Sequence, residues 1–151
     1  MKFCEVYTDK EYIEFDGKHS IVQVSDKGNP CKWVGINSKK QRVVKYRVDG
    51  GIITSKTDLK CDYAVYVEED SIYLIELKGA NYNHALEQID ATLDKLILVP
   101  NIETSSVNGR VVLTKGRVPG IKYSKEPSIL KKLKKLNGTL ESRTKLFEEK
   151  I

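Results

Sequence analysis

Apolar residues run most densely between positions 61 and 77. "CDYAVYV" and "SIYLIEL" are rich in Tyr, Val and Ile and are separated by the acidic turn "EED", which predicts two strands joined as a hairpin. Upstream, "QRVVKYRVDGGIIT" carries β-branched residues around Asp49-Gly50-Gly51 and reads as a strand running into a hairpin or a bulged bend. "EYIEF" and "HSIVQVS" read as short strands around the Asp16-Gly17 turn, with a helix over "DKEYIEF" as the alternative.

From Asn83 the period changes. Ala85, Ile89, Leu93, Leu96 and Ile97 recur at three- and four-residue spacing, which places them on one face of a helix that ends before Pro100. Gly109-Arg110 then leads into "VVLT", a short strand, followed by a basic loop containing Pro119-Gly120. "SILKKLKKLN" is predicted helical, capped by Ser128, with Ile129, Leu130, Leu133 and Leu136 buried and its four lysines outward. Asn137-Gly138 ends it, and "TLESRTKLF" is a final strand. Strands, helix, strand, helix, strand is the order of an α/β or mixed α+β domain, a central mixed sheet flanked by helices.

Composition narrows the class. The chain of 151 residues is 40% hydrophobic and 31% charged, one globular domain's worth spanning 1–151. Cys4, Cys31 and Cys61 are odd in number and lack Cys-x-x-Cys spacing, and "MKFCEVYTDKEY" has no apolar core of signal-peptide length. Free thiols in a reducing cytoplasm are the expectation. No stretch approaches the ~20 apolar residues of a membrane span, so no membrane partner is expected. The net charge of +5 is unevenly spread: Arg110 to Lys135 holds nine basic residues against one acidic, Glu126, and the remainder is mildly acidic. That asymmetry suits a polyanionic partner, and a solvated lysine face is its plain alternative.

The candidate chemistry sits at the end of the second hairpin strand. Residues two apart in a strand share a face, so Ile72, Leu74, Glu76 and Lys78 project together. Pairing around "EED" brings Asp62 beside them. Two converging carboxylates are what Mg²⁺ or Mn²⁺ takes from a protein, and a neighbouring lysine can position the attacking water. The plain alternative is a surface ion pair with Asp62 in a turn, worth under ~1 kcal/mol.

Asp62, then fourteen positions on Glu76, then Leu77 and Lys78, with an apolar strand before and a helix after, resembles the D…ExK signature of the PD-(D/E)xK nuclease superfamily. The resemblance covers roughly residues 43–114 and implies a restriction-endonuclease-like fold. It further implies that Asp62, Glu76 and the Leu77 carbonyl hold Mg²⁺ or Mn²⁺, that Lys78 assists the water, and that Gln88 on the following helix supports the site. Cys61 stands where the superfamily has proline, and no glutamate-bearing first helix is identifiable; Glu5, Glu11, Glu14 and Asp49 are the candidates for a further acid. Asp49 reads first as a turn residue, and His84 and His19 as plain surface positions. Tyr63, Tyr66 and Tyr73 read as sheet packing, and Cys61 as a small buried residue.

The expected function is thus a metal-dependent nuclease acting on DNA, with Lys115, Arg117, Lys122, Lys131, Lys132 and Lys135 along the phosphate backbone. A homodimer is implied by the resemblance alone. The alternative is a nucleic-acid-binding or regulatory module of the same fold that does not cleave.

Overall fold

The computed structural model describes residues 1–77, 81–116 and 122–151. In chain order these form α1 (Phe3–Val6), β1 (Ile13–Gly17), β2 (Ile21–Ser25), β3 (Lys32–Ile36), β4 (Val43–Arg47), β5 (Tyr63–Val67) and β6 (Ser71–Leu77). There follow α2 (Tyr82–Leu93), continued by a π-helical turn over Asp94–Leu98, then β7 (Ser106–Leu113), α3 (Glu126–Lys135), β8 (Leu140–Thr144) and β9 (Leu146–Lys150). Lys78, Arg117 and the predicted Pro119-Gly120 loop lie outside the described residues.

The strands make two sheets. A six-stranded mixed sheet runs β1-β4-β5-β6-β7-β8, and a three-stranded sheet runs β2-β3-β9. β1, β4, β5 and β6 are each antiparallel to the next, whereas β7 joins β6, and β8 joins β7, in parallel. The mixed α+β class read from the sequence is correct. β5 is buried on both faces, as a central strand in a three-layer molecule must be. On one face Ala64, Tyr66, Ile72 and Leu74 meet Leu86, Ile89 and Leu93 of α2 and Ile129 and Leu133 of α3. On the other, Tyr63, Val65, Ile75 and Leu77 meet Val22, Val24, Trp33 and Phe147 of the smaller sheet.

α2 buries Ala85, Ile89, Leu93, Leu96 and Ile97, the stripe its spacing predicts. Several local expectations are corrected. β1 and β2 are strands, as the first of the two readings had it, but they do not pair with each other; β1 joins β4 and β2 joins β3. "TLESRTKLF" is two strands in different sheets, because Lys145 adopts φ 64°, donates its N–H to Leu113 and accepts from Lys32. α3 begins at Glu126 with Pro127 in its first turn and no side-chain cap, so Ser128 lies inside the helix. Leu130 is 43% exposed and not part of the buried stripe. Asn137, at φ 57°, does end the helix, and a Cβ on Gly138 would collide with the Val107 carbonyl.

Arg110, counted with the basic run, is instead 4% exposed inside β7. Its guanidinium donates to Glu149 at 2.8 and 3.1 Å and pairs with Glu141 at 3.1 Å. Trp33 Nε1 donates to the same Glu149 at 2.8 Å, so one carboxylate ties the two sheets together.

Candidate active site

Tyr63 opens β5 opposite Ile75 of β6, so Asp62 and Glu76 flank that pair at the same end of the hairpin. Asp62 donates its N–H to the Ile75 carbonyl (3.1 Å) and accepts from the Val48 N–H (2.9 Å). The Leu77 N–H donates to Asp62 Oδ2 at 2.8 Å. A side-chain oxygen therefore serves Leu77 where the backbone of β5 leaves the ladder. Asp62 is 9% exposed and Glu76 only 2%. Ile72 and Leu74 face the helices and Ile75 and Leu77 the smaller sheet, and alternation sets Glu76 on the helix side.

Cys61 lies buried beside these acids. Burial, and then the Glu76 charge, push its thiol well up, so the thiolate that a nucleophile requires is disfavoured. α2 braces this segment twice: Thr92 Oγ1 accepts the Cys61 N–H at 2.8 Å, and Gln88 Nε2 donates to the Lys60 carbonyl at 3.1 Å. Gln88 is thus bonded to the backbone two residues before Asp62.

Asp62 opens on a cleft of about 120 Å³ that it shares with Asp26, Arg47, Asp49 and Tyr63. Asp49 reaches this rim through the turn after β4, where Gly50 takes φ 73° and a Cβ on Gly51 would strike the Arg47 carbonyl. It is the turn residue that the sequence favours, and it also lines the cleft. Its Oδ1 lies 3.8 Å from Nζ of Lys60, which donates to the Ser55 and Asp58 carbonyls at 2.6 and 2.9 Å. Asp26, which follows β2, accepts from the Tyr63 hydroxyl at 2.6 Å. Sequence reasoning missed Asp26: its contact crosses between sheets, and its only local signal is the turn composition of "DKGNP". Through Asp26 the cleft adjoins a wider depression of about 380 Å³ over residues 26–30 and Thr114.

The other candidates lie elsewhere. Glu5 accepts the Lys2 N–H at the start of α1, and Glu11 is exposed after Asp9. Glu14 projects from the irregular stretch of β1 and its charge is felt at Tyr63. His84 is held at the start of α2 by Asn81, 4.0 Å from Glu87, and His19 lies tilted against Phe15. Tyr66 and Tyr73 pack in the sheet, as expected. Among the described residues no three His, Cys, Asp or Glu side chains converge as a metal-holding group.

The basic face is smaller than the run of lysines suggests. Lys115, Lys122, Lys131 and Lys135 are exposed. Lys132 is turned toward α2, bonding Asp90 at 2.8 Å and Asp94 at 3.0 Å, so its charge is internally balanced. Among the described residues no helix is long and apolar enough to cross a membrane. No family model matches this chain, and neither the curated proteins nor the solved structures include a match to it.

Proposed function

We propose that the protein is a divalent-metal-dependent nuclease that hydrolyses phosphodiester bonds in DNA. The observation that carries this reading is the pair of buried carboxylates, Asp62 and Glu76, flanking one strand pair, with Asp62 open to a cleft. The antiparallel β4-β5-β6, then α2, then a parallel β7 suit the mixed sheet that the resemblance to PD-(D/E)xK nucleases implies. Two carboxylates without a closed cage are a donor set that fits Mg²⁺ or Mn²⁺, which keep positions for water and phosphate oxygens. Asp62, Glu76 and the Leu77 carbonyl would hold the ion, which when bound supplies an acidified water and charge neutralisation at phosphorus.

The chain's own groups do the rest. Arg47, on the cleft rim, offers donors to a phosphate; Lys78 positions the water; Gln88 acts through the backbone before Asp62 as a positioning residue. Lys115, Lys122, Lys131 and Lys135, with Arg117, follow the strand backbone without reading sequence. The enzyme works in a reducing cytoplasm, and as a homodimer it would address two strands.

The test incubates supercoiled plasmid, linear duplex, single strands and a four-way junction with the protein in Mg²⁺, Mn²⁺ or EDTA. Cleavage should require metal and fall by about a hundredfold or more in Asp62→Asn, Glu76→Gln and Lys78→Ala. Equal cleavage in EDTA, or in all three variants, would falsify the assignment. A second reading, binding without cleavage, is favoured by the lack of a third converging acid among the described residues. Retention of DNA with no cleavage in either metal selects it.

A further inference from the structure

The geometry points to a stacking subsite for one unpaired base, set between the open edges of the two sheets and leading to the Asp62 cleft. It rests on the nuclease reading and deepens it by naming a single strand as what is held. β1 is an edge of the larger sheet and β2 an edge of the smaller. Between them lies a depression of about 210 Å³ lined by Phe15, His19, Ile21, Val22, Gln23 and Lys45. The Phe15 and His19 rings lie against each other, tilted by 40°, with centroids 4.3 Å apart. His19 is exposed and Ile21 is 62% exposed, so an aromatic and aliphatic shelf stands open to solvent. A flat, apolar-faced ligand would cover it.

Cations continue from the shelf to the cleft. Lys45 pairs across the sheet with Phe15, and Arg47, two residues on and on the same side of β4, pairs with Tyr63. Lys45 Nζ lies 5.2 Å from the centre of the Tyr63 ring, and both Tyr63 and Arg47 line the Asp62 cleft. Two cations spaced by ~7 Å on one side of a strand suit a ligand that carries regularly repeated negative charge, as a nucleic-acid backbone does. Along the other wall, β2 runs from Ile21 at the shelf toward Asp26, just past its end, at the cleft, about 17 Å at strand rise, which is a few nucleotides of extended strand. A base inside a duplex has both faces covered by its neighbours, so only an unpaired one can lie on Phe15 and His19.

The test uses an octanucleotide, of DNA or of RNA, carrying 2-aminopurine at each position in turn, in EDTA so that nothing is cleaved. One position should be quenched on binding. His19→Ala, which alters an exposed side chain, and Phe15→Leu should each remove that quench and weaken binding about tenfold. Lys45→Gln should keep the quench and lower the slope of log affinity against log salt by about 0.7. Unchanged affinity and quench in both ring variants overturn the subsite, as does equal binding of a blunt duplex or of AMP alone. Asp62→Asn should keep the quench. In the unaltered protein, no metal-dependent cleavage with the quench intact sinks the nuclease reading alone, and a missing quench with cleavage intact sinks the subsite alone.

Discussion

Asp62 Oδ2 accepts the Leu77 N–H in a position only 9% exposed, so the same side chain that faces the cleft also completes the hairpin's hydrogen bonding. The two roles separate by substitution. An asparagine retains an oxygen for the Leu77 N–H, and Asp62→Asn should change stability by less than ~1 kcal/mol. Asp62→Ala leaves that N–H without its acceptor and should cost about 1–3 kcal/mol in urea unfolding. Equal stability of the two variants would show that the bond to Leu77 contributes nothing. Asp62 and Glu76 were legible because strand alternation and a three-residue turn fix who faces whom. Asp26 was not, since nothing local marks a carboxylate that meets Tyr63 thirty-seven positions away. Arg110 misled for a related reason: within a run of lysines its charge looks like surface, while Glu141 and Glu149, which neutralise it, arrive from later strands.

The β5–β6 hairpin turns through Glu69 and Asp70, both left-handed at φ 72° and 69°, the geometry of a mirror-image turn. Asp70 is engaged by the Tyr66 hydroxyl at 2.8 Å and by Lys2 at 3.4 Å, which explains a non-glycine there. Among the described residues no side-chain bond holds the Glu69 carboxylate, and asparagine tolerates that backbone better. Glu69→Asn should raise stability by about 0.5–1 kcal/mol, read as a higher urea midpoint at unchanged slope; a lower midpoint would refute this account of the turn. α2 and α3 were legible as elements because three- and four-residue spacing is local, whereas the four-residue α1 is too short to show a period. β3 escaped notice because Gly35 lies within it, where glycine ordinarily signals a break. Here it is small for a packing reason: a Cβ would come within 2.7 Å of the Trp33 ring and 2.8 Å of Ile151. The break at Lys145 was equally hidden, because its left-handed backbone is held by bonds to Leu113 and Lys32 and not by a turn-forming residue.

Across the molecule, the three layers bury phenols whose ionisation folding resists. Burial, then neighbouring Tyr12, pushes Tyr7 up to about 12. Burial likewise raises Tyr46, Tyr63 and Tyr66, with Asp26 adding to Tyr63. Lys132 is also raised: desolvation lowers it, but its bonds to Asp90 and Asp94 prevail. Groups raised on folding stabilise fully below their unfolded values, about 10 for tyrosine, and lose that contribution as pH climbs toward the folded ones. Urea midpoints should therefore hold steady to about pH 10 and fall above it, and Tyr7→Phe should flatten the fall. An alkaline limb unchanged in that variant would remove Tyr7 from the account. The class of the fold was legible from element order, but the division of strands between two sheets was not, because β1 and β2 are neighbours in the chain and strangers in pairing.

The pairing of β9 with β3 has a consequence for how the protein comes into being. Trp33 and Glu149 are separated by 116 positions, and their bond closes the smaller sheet over the Tyr63 face of the larger one. During synthesis, β1 and β4 to β7 can assemble while β3 still lacks its parallel neighbour, leaving Trp33 and Val24 uncovered. The smaller sheet closes only after Lys150 has left the ribosome, so the nascent chain carries an open apolar face while β4 to β8 are being made, and a strand far downstream of β3 is the one that seals it.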